Sequence, residues 1–140
     1  VIMKGTFLCS QVFCPVFAEK GGGIVVNISS VMGVIAPNQS IYGDSFKPIT
    51  YSAAKHGIIG MTKYLSTYYA QSNVRVNTLS PGGVFDNQPE EFVDKLTNLI
   101  PMNRMADKTE YKGSIVFLCS DASSYMTGHN LVVDGGMTAW

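Results

Sequence analysis

"IVVNIS", Ile24–Ser29, is a short β-branched run that is apolar at both odd and even positions. A strand with one wet face alternates polar and apolar residues, whereas a run that is apolar on both faces suits a strand covered from both sides, as in a parallel sheet. Upstream, Ile2 to about Ala18 places Phe7, Cys14, Val16 and Phe17 among other apolar side chains, a pattern compatible with a helix buried over much of its circumference. Gly21, Gly22 and Gly23 stop it. Downstream, a polar loop bearing Gly and Pro runs from Ser30 to about Thr50, and "YSAAKHGIIGMTKYLSTYYAQ", from Tyr51, has helical spacing. A second buried strand is expected over "VRVNTLS", Val74–Ser80, ended by "PGG". An amphipathic helix follows over Pro89–Ile100, a further helix over Lys108–Cys119 and a last strand over Asn130–Asp134. Strand and helix alternate three times, which predicts an α/β fold with right-handed crossovers and a parallel sheet. Three strands make a thin sheet, and its outermost strand would leave backbone groups unpaired along an apolar ladder. Something is expected to lie beside it.

Composition narrows the function. The 140 residues are 46% apolar and 14% charged, with a formal net charge of zero. That length holds one domain at most, and the absence of a basic excess argues against nucleic-acid binding. Ordinary soluble domains carry about 25% charged residues, so a surface this poor in charge predicts cover by another subunit or by further chain. The sequence opens at Val1 inside an apolar helical run, as a chain cut within an element would. Lys4, Ser10 and Gln11 interrupt that run, which falls short of the ~18 clean residues of a membrane helix and lacks a leader's pattern. The expectation is a cytoplasmic protein without membrane contact. Cys9, Cys14 and Cys119 are odd in number and lack C-x-x-C spacing, so they read as small hydrophobes with no metal site.

Ligands of open parallel sheets bind beyond the carboxyl ends of the strands, which directs attention to the loops after Ser29, Ser80 and Asp134. The first loop leads into the helix that opens "YSAAK", where Tyr51 and Lys55 lie four apart and share a face. A free tyrosine titrates near ~10, and a close ammonium favours its phenolate. A hydroxyl from Ser30 would hold a substrate carbonyl oxygen beside the phenol. Together these parts suit proton transfer to an oxygen while hydride arrives at the carbon. Four residues beyond Tyr42, Tyr64, Tyr68, Tyr69, Tyr111 and Tyr125 stand Phe46, Tyr68, Ser72, Asn73, Ile115 and His129, so Tyr51 alone has its lysine. The plainer readings are that Ser29 and Ser30 cap a turn and that Pro81 and Gly82 end a strand.

"GGGIVVNISS", "YSAAKHGIIGMTKYLS", "VRVNTLSPGGV" and "FLCSDASSYMTGHNLVVDGG" together resemble, in order, the short-chain dehydrogenase/reductase family, and they cover nearly the whole chain. The resemblance implies a Rossmann-type parallel sheet of which residues 1–140 form the C-terminal part, with only the last three strands and their helices present. It implies an NAD(P)-dependent oxidoreductase that interconverts an alcohol and a carbonyl, with the choice between NAD and NADP left open. Ser30 becomes the catalytic serine, Tyr51 the acid/base, and Lys55 the residue that assists Tyr51 and binds the nicotinamide ribose. Tyr51, Lys55, Pro81, Gly82, Gly83 and Val84 become cofactor contacts, and about Phe85 to Met105 the lid over a small-molecule substrate. The helices at Ile2–Ala18 and Tyr51–Gln71 become the means of forming a homodimer or homotetramer. The alternative is a catalytically inactive fragment acting only as an association module.

Several positions depart from the family pattern. The family's tyrosine stands about a dozen residues after its serine, whereas Tyr51 follows Ser30 by twenty-one. That gap predicts an inserted loop of roughly eight residues within Pro37–Thr50, with Asp44, Phe46 and Lys47 near the active-site mouth and Tyr42 in its approach. The family's catalytic asparagine falls at Ile2, which has no polar group to hold a proton-relay water. Asp86 stands where many members carry a threonine near the cofactor's phosphates, and the glycine-rich turn that holds the pyrophosphate is not in this sequence.

Overall fold

The computed structural model describes residues 1–140. Its sheet has three strands, β1 (Gly23–Ile28), β2 (Val74–Pro81) and β3 (Asn130–Val133), all parallel and in the order β1-β2-β3. Helix α1 (Ile2–Glu19) precedes β1, α2 (Ile49–Tyr68) crosses from β1 to β2, and α3 (Glu90–Thr97) and α4 (Lys112–Cys119) lie between β2 and β3. Register runs from Gly23 opposite Val74 to Ile28 opposite Leu79, and from Thr78 opposite Asn130 to Pro81 opposite Val133. The three strand ends therefore finish together, and the loops after them share one side of the molecule.

The element boundaries have local causes. Pro48 and Pro89 immediately precede α2 and α3, and a proline's fixed φ sets the entry to a helix without a side-chain cap. For that reason α2 begins at Ile49, two residues ahead of the expected start at Tyr51. The expected helix from Lys108 opens instead as a 3-10 turn, Lys108–Tyr111, and becomes α-helical at Lys112. Asp107 and Glu110 form a capping box there: the Asp107 carboxylate accepts from the Thr109 N–H at 2.7 Å, and Glu110 Oε2 accepts from the Asp107 N–H at 2.8 Å. "DKTE", Asp107–Glu110, carries the D-x-x-E spacing of that motif.

β2 is the central strand and buries Val74, Val76 and Leu79, with Ile58 of α2 and Leu118 of α4 packed fully inside. Two polar pins cross this apolar interior. Asn27 of β1 and Thr78 of β2 are register partners, and both donate to Thr62 Oγ1 of α2, at 2.9 and 2.8 Å. The Arg75 guanidinium donates to the carbonyls of Leu118 and Ser120 at the end of α4 and to that of Met126, satisfying acceptors that a helix terminus leaves free. A separate cluster of Val31, Met32, Ile41, Leu96, Ile100, Met105 and Met137 fills the space beyond the strand ends.

The expectation that "IVVNIS" is covered from both sides needs correction. β1 is an edge strand, its residues are mostly only partly buried, and Ile28 is 46% exposed. Helix α1 likewise exposes Phe7, Leu8, Val12 and Phe13, and it holds Pro15 inside its length. Cys14 is buried, and burial pushes its thiol up, while Cys9 and Cys119 are exposed. No helix is long and apolar enough to cross a membrane.

Arg104 forks Glu110, Nη1 to Oε2 at 2.6 Å and Nη2 to Oε1 at 2.7 Å, and this pair together with the Asp107 N–H holds the Glu110 carboxyl down to about 2. A depressed carboxyl stabilises the folded state fully above its ordinary value of 4.5, and the contribution is lost as pH falls through about 2. Glu110→Gln is therefore expected to lower the melting temperature at neutral pH, with the difference from wild type shrinking as pH is taken down from 4.5. Thermal melts across that range check it; a difference independent of pH would show that the charge is not what stabilises the cap.

Candidate active site

Beyond the carboxyl ends of β1 and β2 lies a cleft of about 170 Å³. Ser30 and Met32 form its floor from the β1 loop, Tyr42 and Lys47 come from the long loop, and Tyr51 comes from the first turn of α2. Gly82, Gly83 and Val84 make the opposite wall, with Gln88, Phe92 and Leu96 above them. Five of the seven site residues expected from the sequence, Ser30, Tyr51, Gly82, Gly83 and Val84, thus line one cavity. Lys55 and Pro81 do not line it and sit behind it.

Lys55 is tied at both ends to the end of β1. Its ammonium donates to the Ile28 carbonyl at 3.0 Å, and its own backbone carbonyl accepts from Ser29 Oγ at 2.8 Å. A Cβ at Gly33 would stand 2.5 Å from Ser29 Oγ and 2.9 Å from the Lys55 carbonyl, so only glycine lets the chain pass between strand end and helix. Ser29, next to the expected catalytic serine, therefore has a structural task. Ser30 Oγ accepts from the Met32 N–H at 3.2 Å and caps the short turn Val31–Gly33. The capping reading and the functional one coexist, because that bond uses a lone pair and leaves the hydroxyl hydrogen unassigned. The hydroxyls of Ser30, Tyr42 and Tyr51 all lack a protein acceptor, and all three belong to the same cleft.

The glycine wall is shaped by close approach. A Cβ at Gly82 would meet Asp134 Cα at 2.8 Å, and one at Gly83 would meet Leu96 Cδ2 at 2.8 Å. Asp134 itself accepts from the N–H groups of Gly136 and Thr138, so "DGG" closes its own turn. The segment beyond Val84 returns to the sheet where Ala106 N–H donates to the Gly83 carbonyl and Phe85 N–H to the Ala106 carbonyl, both at 2.9 Å. Phe85 to Met105 is thus pinned at its base, with α3 as its rigid part. Met105 is buried and lines the cleft, whereas Met102 is 59% exposed and lies outside it.

The long loop between Ser30 and Ile49 reaches the cleft through Tyr42 and Lys47. The Tyr42 ring packs on Phe92 with centroids 5.7 Å apart, and burial, followed by the nearby Tyr51, pushes its hydroxyl up. Lys47 places its ammonium 4.1 Å from the Tyr51 ring centroid, closer than Lys55 at 5.7 Å. What the sequence did not show is the clamp behind Lys47: the Gln39 side-chain amide donates to the Lys47 carbonyl at 3.1 Å and accepts from the Lys47 N–H at 2.9 Å. A glutamine pairing with backbone eight residues away has no sequence signature. Ile2 is 40% exposed at the start of α1, and His56, bonded only to its own helix through the Ser52 carbonyl, stays on the surface.

A parallel sheet with a serine, a tyrosine and a glycine wall gathered beyond its carboxyl end places the chain among Rossmann-type α/β proteins. The family model described as Enoyl-(Acyl carrier protein) reductase matches residues 1–138, and the chain belongs to the short-chain dehydrogenase/reductase family. It is 38% identical over 136 residues to post-translational flagellin modification protein A of Campylobacter coli, covering 96% of this chain and 53% of that one. To the ribulose-forming D-arabinitol 2-dehydrogenase of Candida tropicalis it is 39% identical over 145 residues, covering 97% and 49%. A short-chain dehydrogenase from Leptospira borgpetersenii, crystallised with bound NAD+, superposes with a TM-score of 0.91 at 41% identity, over 96% of this chain and 52% of that one. The chain spans about half the length of the curated relatives it matches.

Gly33→Ala should destabilise the fold by about 1–3 kcal/mol, because the new methyl meets the Lys55 backbone carbonyl as well as the Ser29 hydroxyl bonded to it. Denaturant unfolding measures this. Unchanged stability would mean that the strand end and α2 separate easily.

Proposed function

We propose that the complete protein is an NAD(P)-dependent oxidoreductase that interconverts an alcohol and a carbonyl, and that residues 1–140 form the C-terminal part of its single Rossmann domain. The observation that carries this reading is the convergence of two unpaired hydroxyls, Ser30 and Tyr51, on one cleft with a glycine wall. In the reducing direction Tyr51 passes its proton to the carbonyl oxygen, and the Ser30 hydroxyl donates to the same oxygen and holds it in place. Lys55 spends one ammonium donor on the Ile28 carbonyl and keeps two for a ribose hydroxyl and the neighbouring phenol. The wall of Gly82, Gly83 and Val84 offers backbone groups and no bulky side chain at its start, which fits the flat edge of a nicotinamide. Bound there, the nicotinamide would exchange hydride with the substrate carbon. Both dinucleotides remain open, since none of these residues would touch the adenosine ribose. The relatives' names span a polyol dehydrogenase and a flagellin-modifying protein, and the substrate is taken to be a small molecule with a secondary alcohol or its ketone.

Tyr51→Phe in the complete gene product should lower turnover about 10²- to 10⁴-fold, whereas Tyr42→Phe should retain most of it. Steady-state rates read from nicotinamide absorbance decide between the two tyrosines. Survival of activity in Tyr51→Phe, with loss in Tyr42→Phe, would reverse the assignment.

Assembly is a second reading with its own observation. A trough between α1 and α2 is lined by Phe7, Pro15, Met61, Leu65 and Tyr68, and Tyr64 and Tyr68 stand stacked and two-thirds exposed beside it. Apolar surface of this kind marks a contact face, and a homodimer or homotetramer through α1 and α2 is proposed. Sedimentation should show that Tyr68→Asp shifts the complete gene product toward monomer; an unchanged mass would place the interface elsewhere.

A further inference from the structure

Lys47 is the one charged residue lining the cleft, and it comes from the long loop between Ser30 and Ile49, not from the Ser30, Tyr51 and Lys55 positions. We infer that Lys47 is a specificity residue that recognises a negatively charged group on the substrate, so that the protein's substrate is an anionic polyhydroxylated molecule, carboxylate or phosphate. This rests on the functional reading above and extends it to the substrate class.

An ordinary surface lysine extends its ammonium into water and leaves its backbone unmarked. Lys47 differs on both counts. Its N–H and C=O are both held by the Gln39 side chain, so the direction in which the side chain leaves the loop is set before any ligand arrives. Its ammonium lies over the Tyr51 ring, and the residue as a whole is only partly exposed. No carboxylate neutralises it: the ion pairs of the chain are Lys95 with Glu91 and Arg104 with Glu110, and none of the cleft's lining residues is acidic. Asp44, three residues away on the same loop, makes no such pair.

A cation in the cleft without a counter-charge is a place for an anion, and the rest of the cleft says what carries that anion. The hydroxyls of Ser30, Tyr42 and Tyr51 are all without protein acceptors and suit a hydroxylated carbon chain, with Tyr51 at the reacting oxygen. The contact with the ring does not compete, because an ammonium has three donors and can rest on an aromatic face while donating to an anion. A neutral polyol would fill the hydroxyl contacts and leave Lys47 unmatched. An acyl thioester would leave the hydroxyls unmatched.

The test compares matched probes on the complete gene product: D-arabinitol, its phosphate ester, and the aldonate D-gluconate, each followed by nicotinamide reduction and by calorimetric binding. One of the two anionic probes should exceed the neutral polyol in kcat/KM, and which one does so distinguishes phosphate from carboxylate. Lys47→Gln should lower kcat/KM and affinity for that anionic probe roughly 10- to 100-fold while changing the neutral probe little, and Lys47→Arg should restore the preference. Equal loss on charged and neutral probes, or no anionic preference in the wild type, would overturn the inference. Binding is also measured in Tyr51→Phe: if the anionic preference survives in binding there while the Tyr51→Phe and Tyr42→Phe rates contradict the roles above, the functional reading has failed and the anion site stands.

Discussion

Everything in the cleft depends on how one residue of α2 is fastened to the end of β1. Lys55 gives its ammonium to the carbonyl of the last β1 residue and its backbone carbonyl to the side chain of the next, so a single residue fixes both the rotation and the height of α2 against the strand end. The passage of Gly33 between them leaves no room for adjustment. Tyr51, one turn earlier on the same helix face, inherits its position from that fastening. Ser30, the residue after Ser29, inherits its own from the same short stretch of chain. The register of β1 on β2 then sets Gly82 and Gly83 across the gap. The site is thus placed by strand register and one lysine more than by contacts among its own side chains.

Much of this was legible because it is local. The Tyr51 and Lys55 spacing, the strand at Val74 and the turn at Pro81 each follow from neighbouring residues, and their order in the chain is the order of an α/β sheet. The length of the Ser30 to Tyr51 segment even foretold that something would project at the mouth of the site, since a longer connection between fixed ends must go outward. Which way it turns was not legible. Lys47 turns inward over Tyr51 because Gln39 holds its backbone, a pairing between two loop residues that neither periodicity nor motif encodes. Ser29 reads as a turn cap in the sequence and is a fastener in the structure, its hydroxyl bonded to the Lys55 carbonyl. β1 is less covered than its residue types suggest for a related reason: residue type reports what a strand prefers to be packed against, not what this chain supplies.

Apolar surface also separates two kinds of incompleteness. The trough between α1 and α2 is lined mostly by residues of two helices, which bond their own backbone, and asks for other side chains, as a subunit contact would provide. The open flank of β1 is different. There Phe13 and Phe17 of α1 overhang Ile24 to Ile28, and the trough includes the strand itself, whose outer backbone groups have no partner in the sheet. A side-chain contact cannot satisfy a row of N–H and C=O groups at strand spacing; only another extended segment can. That requirement, met at the β2 side by a six-residue ladder and unmet on the other, favours further sheet beside β1 over a bound small molecule.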